Sequence, residues 1–382
     1  MKTKFSYIPA GAIIVALALG IASARADDRD NRDHQRDAYA VNPLVSDLSG
    51  AAVKDPVLQN AWGVAFTPGG SPFWISDNAT GCATLYDGDG TIVPLQVAIP
   101  LPGNVVPNTD CKHANTNPPP APTPAAPTGI VWNPTTAFLV PGTIVPAHFI
   151  FDTEDGTISA WASGNQAVLA VDNSKNPTPA TGAVYKSLAV SVNVHGVFLY
   201  AANFRAGTID VFDTTFKPAT TDGGFVDPNI PVGFAPFSIK NIDGELFVTY
   251  AKQNALKHDD VAGPGNGFVD VFDTDGHLLR RFASRGPLNS PWGMTRASFA
   301  FGRFSGLILI GNFGDGRINV FDSRGHFIDQ LEDAHGKPLV IDGLWTLTLG
   351  GGAKSSPDTL YFTAGPNGET DGLFGTITPI SE

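Results

Sequence analysis

The sequence predicts an all-β fold, a six-bladed β-propeller whose ring is closed by its N-terminal strand. Three observations predict it. A strand–turn–strand pattern recurs about every 50–70 residues, as in "WISDNATGCATLYDGDG", "YAANFRAGTIDVFDTTF", "GPGNGFVDVFDTDGHLLRRF" and "LIGNFGDGRINVFDSRGHFIDQL". Each copy alternates apolar and polar residues with period two and ends on aromatic–Asp followed by an Asp/Gly turn, the signature of antiparallel hairpins. A further short apolar strand precedes each unit, giving six starts anchored at Trp62, Gly129, Lys186, Pro236, Trp292 and Gly343. Six units of about four strands build a ring of blades. The 42 Gly and 31 Pro suit a chain of tight turns, and no long 3.6-residue apolar period asks for helices.

Ring closure follows from a missing strand. After "GLFGTITP", Gly372 to Pro379, the chain ends without a fourth strand for the last blade. "AVNPLVSDL", Ala40 to Leu48, is expected to supply it and to hide an open edge. The propeller is therefore expected over 40–382. Ahead of it, Lys2 and Lys4 precede an apolar run from Ile8 to Ala22, and Ala24-Arg25-Ala26 offers small residues for cleavage, so 1–26 reads as a secretory signal peptide. Residues 27–39, including "DDRDNRDHQRD", hold little to bury and read as a disordered leader. No later apolar run reaches the roughly 18 residues of a membrane span.

Charge narrows the function. Removing the signal takes away Lys2, Lys4 and Arg25 and no acid, moving the formal charge from −12 to −15. That acidity, without a basic patch, speaks against nucleic-acid binding. Cys82 and Cys111 fit an exported protein as one disulfide, which would close a loop of about 30 residues and contribute roughly 3–4 kcal/mol. A periplasmic or secreted monomer is expected.

The alternation of strand direction sorts the candidates by face. The start of each first strand, the second-to-third turn and the connection between blades share one face, here the upper. His195, His277 and His326 fall in turns on the lower face, where "DTDGH" and "DSRGH" supply what tight turns need. The upper face receives Asn78, Asn203 and Asn312 at the ends of second strands, and Trp62, Trp292 and Trp345 in first strands. Long connections bring His113 and His335 there. One upper loop is oversized: "AKQNALKHDDVAGPGNG", Ala251 to Gly267, carrying Lys252, Lys257, His258, Asp259 and Asp260. Loops on a rigid scaffold carry function, so this one is expected over or beside the channel mouth, forming a ligand site with the Asn and Trp residues. Asn at strand ends also caps backbone, Trp also packs between blades, and a Lys/Asp loop also pairs with itself.

Chemistry is weighed against these residues. No G-x-S-x-G elbow is present for serine hydrolysis. Phosphate loops need β–α units that the chain lacks. Oxygen ligands from Asn78, Asn203, Asn312, Asp259 and Asp260 suit Ca²⁺, while His113, His258 and His335 suit Zn²⁺ or copper. The second upper insertion, Ile99 to Gly129, is Pro-rich and reads as an extended, disulfide-tethered loop or a docking segment.

Two resemblances rest on these motifs. "NAWGVAFTPGGSPFWISDNATGCATLYDGDG" and "NSPWGM" with "GLILIGNFGDGRINVFDSRG" resemble NHL repeats, which implies six blades. "APFSI", "YAKQNALKHDDVAGPGNGFVDVFD", "LNSPWGM", "GNFGDGRINVFD", "VIDGLW" and "LYFTAGPNGE" are similar to a family of exported bacterial propellers of uncharacterised function, some with PEP-CTERM sorting tails. The gluconolactonase/senescence-marker propellers share the plan and hold an axial metal with Glu, Asn and Asp. This chain offers Asn on the matching face but no Glu near the start of a first strand, so that likeness implies the plan and not lactonase activity. The reading is an exported propeller binding a small molecule or an extracytoplasmic protein through its upper face. The alternatives are a Ca- or Zn-dependent hydrolase of lactones or esters and a cell-envelope scaffold.

Overall fold

The computed structural model describes residues 38–380 except 108, 110, 112–122 and 179. The signal peptide expected over 1–26, residues 27–37 of the leader expected over 27–39, His113, and the middle of the Pro-rich insertion lie outside the described residues; Ala38 and Tyr39, expected in that leader, instead pair in a strand with Ile380 and Pro379. Among the described residues twenty-five strands form six sheets. Blades one to five each have four strands in sequence order: β3–β6, β7–β10, β11–β14, β15–β18 and β19–β22. Their first strands are β3 (Ala61–Ala65), β7 (Pro127–Trp132), β11 (Tyr185–Asn193), β15 (Phe234–Ile242) and β19 (Pro291–Arg296). These coincide with the expected starts. Blade six takes β23 (Leu344–Leu349), β24 (Leu360–Ala364) and β25 (Leu373–Ile380) from the C-terminal end.

Its fourth strand is β1, Ala38–Ser46, running antiparallel to β25 from Ala38 opposite Ile380 to Ser46 opposite Leu373. The ring therefore closes as expected, with β2 (Val53–Lys54) added in parallel on the outer edge. Tyr39 anchors the closing strand: its ring stacks on Phe301 and Phe304 of blade five, and its hydroxyl donates to the Phe301 carbonyl at 3.2 Å. Among the described residues helix is almost absent, limited to short single turns such as Pro366–Glu369.

One irregularity recurs in every blade. Each first strand gains one residue over its second strand near the upper face, between Ala61 and Val64, Pro127 and Ile130, Tyr185 and Leu188, Pro236 and Ser238, Pro291 and Met294, and Leu344 and Leu347. Such a β-bulge bends the strand and re-aims a side chain. The re-aimed positions are Trp62, Thr128, Lys186, Phe237, Trp292 and Trp345, one per blade. The residues that follow are small (Gly63, Gly129, Ser187, Ser238, Gly293, Thr346) because neighbouring first strands come very close. A Cβ on Gly63 would lie 2.5 Å from the Thr128 carbonyl oxygen, and one on Gly293 2.3 Å from that of Trp345.

Candidate functional site

The bulges assemble a tryptophan layer across the channel. Trp62 stacks on Trp345 at 3.5 Å between ring centres and meets Trp292 edge-on at 6.0 Å. Phe313 stacks on the other face of Trp345 at 4.0 Å. Phe204 and Phe237 complete this buried cluster. The indole N–H of Trp345 donates to Asn60 Oδ1 at 3.0 Å and that of Trp292 to the Lys186 carbonyl at 3.1 Å. The three Trp residues expected at the site thus form its floor.

Lys186 takes the fifth aromatic's place. It stands at the position that four other blades fill with Trp or Phe and blade two fills with Thr128, and its side chain is only 3% exposed. Its Nζ lies 5.2 Å from the Trp62 ring centre and 5.8 Å from that of Phe204, in cation–π range. It is paired with Glu154 Oε1 and lies 3.7 Å from Asp259 Oδ1. Burial pulls the ammonium's pKa down, but Glu154, with Asp259 and Glu369, more than offsets this and holds it above the usual lysine value.

A polar network radiates from this pair. Glu154 Oε2 accepts from Asn78 Nδ2 at 3.0 Å. Asn78 Oδ1 accepts from Asn60 Nδ2 at 3.1 Å, and the same amide donates to Glu369 Oε2 at 2.9 Å. On the other side the oversized loop arrives from blade four, fastened by Gln253 Nε2 to the Phe204 carbonyl at 2.5 Å. It places His258 Nδ1 2.6 Å from Asp259 Oδ1, with Asp259 59% exposed and His258 35%. Glu154, His258 and Asp259 each offer a ligand atom within 4.8 Å of the others. The loop therefore reaches the channel mouth, where the sequence placed it.

Around Lys186 the carboxyls outnumber the cations. Asp155, Asp260 and Glu369 are all raised from their ordinary values, with burial the main cause in each. Neighbouring acids add to it: Glu154 acts on Asp155 and Glu369, and Asp259 on Asp260. Asp260 Oδ2 is buried without a hydrogen-bond partner. Asp259 is held low by its bond to His258 and by Lys186.

Other expected residues stand apart. Asn203 accepts from the backbone N–H of Ala206 at 3.2 Å and donates to Asp210 at 2.9 Å. Asn312 accepts from Asn289 N–H at 3.1 Å and donates to Asp315 Oδ1 at 3.0 Å and the Pro287 carbonyl at 2.8 Å. Asn203 caps its own turn, and Asn312 ties its turn to the connection that precedes its blade. Lys252 and Lys257 are exposed, and His335 stays in its own turn, its N–H donating to Asp333 at 2.8 Å. His277 and His326 pair with Asp273 and Asp322 within their hairpins, at 3.0 and 2.9 Å. Cys82 and Cys111 form a disulfide with Cα atoms 6.0 Å apart.

Sequence reasoning missed Lys186, Glu154, Glu369 and Asn60. Glutamates were sought at first-strand starts, whereas Glu154 directly follows a second strand, β8 (Phe149–Thr153), and Glu369 follows another, β24, a few residues on. The available signal was the repeat itself: aligning "YKSL" with "AWGV" and "PWGM" puts a lysine where the pattern asks for an aromatic.

Fold and site together define a six-bladed β-propeller whose upper channel mouth is acidic and sealed by tryptophans and one lysine. The chain is 31% identical to "Uncharacterized protein R648" of Acanthamoeba polyphaga mimivirus over 89% of this chain and 80% of that one. It is 33% identical to "Uncharacterized protein L690" of the same virus, over 89% and 85%. It belongs to one family with these proteins. No family model matches the chain.

Among solved structures it is similar to a gluconolactonase from Xanthomonas campestris (14% identity, TM-score 0.47, 85% of this chain and 87% of that one). It is also similar to a luciferin-regenerating enzyme (11%, TM-score 0.48, 89% and 95%) and to virginiamycin B lyase from Staphylococcus aureus (10%, TM-score 0.47, 90% and 100%). No helix among the described residues is long and apolar enough to cross a membrane.

Proposed function

We propose that the chain is an exported ligand-binding propeller whose upper-face bowl takes a cationic ligand, a divalent metal ion in the first instance. One observation carries this reading. Glu154, Asp155, Asp259, Asp260 and Glu369 converge on the axis against Lys186 and, at most, a protonated His258. Three of these carboxyls are pushed up, chiefly by burial and further by their acidic neighbours, so an added cation is attracted there. Glu154, His258 and Asp259 supply donor atoms close enough to share one ion, and the exposure of Asp259 leaves coordination positions open. The Lys186 ammonium is the competitor, since it lies against two of the three. Export is supported by the signal-like N-terminus and by the disulfide.

Isothermal titration of chelator-treated protein with CaCl₂ and ZnCl₂ tests this. One ion per chain is expected, weakened at least tenfold by Asp259→Asn and strengthened by Lys186→Met. An absence of binding at millimolar ion in both wild type and Lys186→Met would overturn it.

The second reading, a metal-dependent hydrolase of lactones or esters, is favoured by the open side of the same triad. A metal there would act as a Lewis acid on a carbonyl. It requires stoichiometric ion first, and then turnover of a lactone panel that is lost in Asp259→Asn.

A further inference from the structure

Below the tryptophan layer the channel opens into a cavity of about 380 Å³ lined by the first strands of all six blades. Its upper residues, including Ser187, Ser238, Trp292 and Thr346, are buried. Those at its other end, including Phe66, Trp132, Val190 and Thr348, are partly exposed, and Asn241 is exposed. The cavity is thus shut above and open towards the lower face, on the far side of the tryptophans from the acidic bowl.

Most of its wall is apolar: Ile130, Trp132, Leu188, Ile239, Met294 and Leu347. Lys240 of β15 is the one ionisable side chain among the described residues that line it, from any of the six first strands. Its Nζ reaches across the channel to the Leu347 carbonyl of blade six at 2.9 Å. An ammonium carries three N–H donors, so two remain for a ligand. No carboxylate lies within ion-pair distance of it among the described residues, in contrast to Lys186. Burial alone lowers its pKa, to about 8.

Lys240 is half-buried, and a lone cation in a mostly apolar cavity lacks an anion. We propose that this lower cavity is a second binding site, for a small organic carboxylate whose charged end meets Lys240 and whose apolar body lies against the six strands. A volume of this size falls in the range of small-molecule sites, which pair apolar walls with a few placed polar groups. The bound carboxylate would restore the charge balance that the fold leaves open.

Benzoate is the probe, with benzamide as its neutral counterpart and inorganic phosphate as an anion without an apolar body. Ligand-observed NMR and titration calorimetry on the full mature chain at pH 7 give the affinities. Benzoate is expected to bind at least tenfold more tightly than either control, and Lys240→Met to lose that preference. Because removing an unpaired ammonium relieves its burial, Lys240→Met should be at least as stable as wild type. Wild-type binding gives an independent reading in case the variant folds poorly: benzoate affinity should fall as pH rises from 8 to 10. Benzamide or phosphate binding as well as benzoate, unchanged binding in Lys240→Met, an affinity flat from pH 7 to 10, or no benzoate binding at 10 mM would each overturn the proposal.

Discussion

Replacing Lys186 with methionine tests the central claim about the channel mouth, that a buried ammonium is held in an aromatic position by one glutamate. Methionine keeps the length and apolar stem of lysine and packs well against aromatic rings. What it removes is the charge. Glu154 is then left largely buried, its side chain 13% exposed, keeping the Asn78 bond at 3.0 Å but no cation. Breaking a buried pair by removing one partner costs about 3–5 kcal/mol. Residual exposure and the Asn78 bond place this case towards the lower end, at about 2–4 kcal/mol.

The double variant Lys186→Met/Glu154→Gln removes both charges. It should recover most of the loss, since a buried pair replaced by neutral groups of similar volume is often close to neutral in stability. Urea unfolding of wild type, both single variants and the double variant closes the cycle, with a coupling of at least about 1.5 kcal/mol expected. If Lys186→Met is as stable as wild type, or the double variant loses the sum of the two singles, the pair does not organise the site.

Three further outcomes are expected. Asp152 is wholly buried against Thr128 Oγ1 (2.9 Å) and Gly129 N–H (2.6 Å), and burial raises its pKa to about 7. Between about pH 4 and 7 the folded chain therefore holds a proton that the unfolded chain has released, so stability falls as pH rises through this window, by up to about 4 kcal/mol. Asp152→Asn should flatten that part of the stability–pH curve relative to wild type, measured by urea unfolding at each pH; a parallel curve would refute the assignment. Cys82→Ala/Cys111→Ala opens a loop spanning 29 positions and should cost about 3–4 kcal/mol, with wild type in reductant matching it. Trp62 Nε1 has no hydrogen-bond partner among the described residues, whereas Trp345 Nε1 donates to Asn60. Trp345→Phe should accordingly lower stability by about 1 kcal/mol more than Trp62→Phe; equal midpoints in thermal melts would contradict this.

The ring was legible because its physics is local. Alternation, Asp/Gly turns and a strand missing from the last unit give the six blades and the β1–β25 closure without knowledge of any contact. The oversized loop was legible for the same reason, as a departure from short neighbours. The site itself was only half visible. His258, Asp259 and Asn78 stand in it, but Asn203 and Asn312, which look the same in sequence, spend their hydrogen-bonding groups on their own turns and, for Asn312, on the neighbouring connection. Glu154 sits in "TEDG" and Glu369 in "GPNGET", stretches that read simply as turns. What makes them neighbours is the rotation of one blade onto the next, a long-range relation that no stretch of chain encodes alone. Lys240 was invisible for another reason: a lysine in the alternating strand "FSIKNI" reads as solvent-facing, and here the solvent side of the strand is the channel.

The shared bulge gives this architecture an addressable centre. Each blade contributes one re-aimed position, and five single codons (62, 186, 237, 292 and 345) specify the stopper between the two ends of the channel, while Thr128 of blade two turns to Asp152 instead. Because the small residue that follows each of them already absorbs the close approach of the strands, the stopper can be rewritten without changing hairpins, turns or closure, provided a charge and its partner change together. In relatives of this chain, the residues at these five sites should vary as a set, with a positive charge at one matched by an acid in the loop of a neighbouring blade.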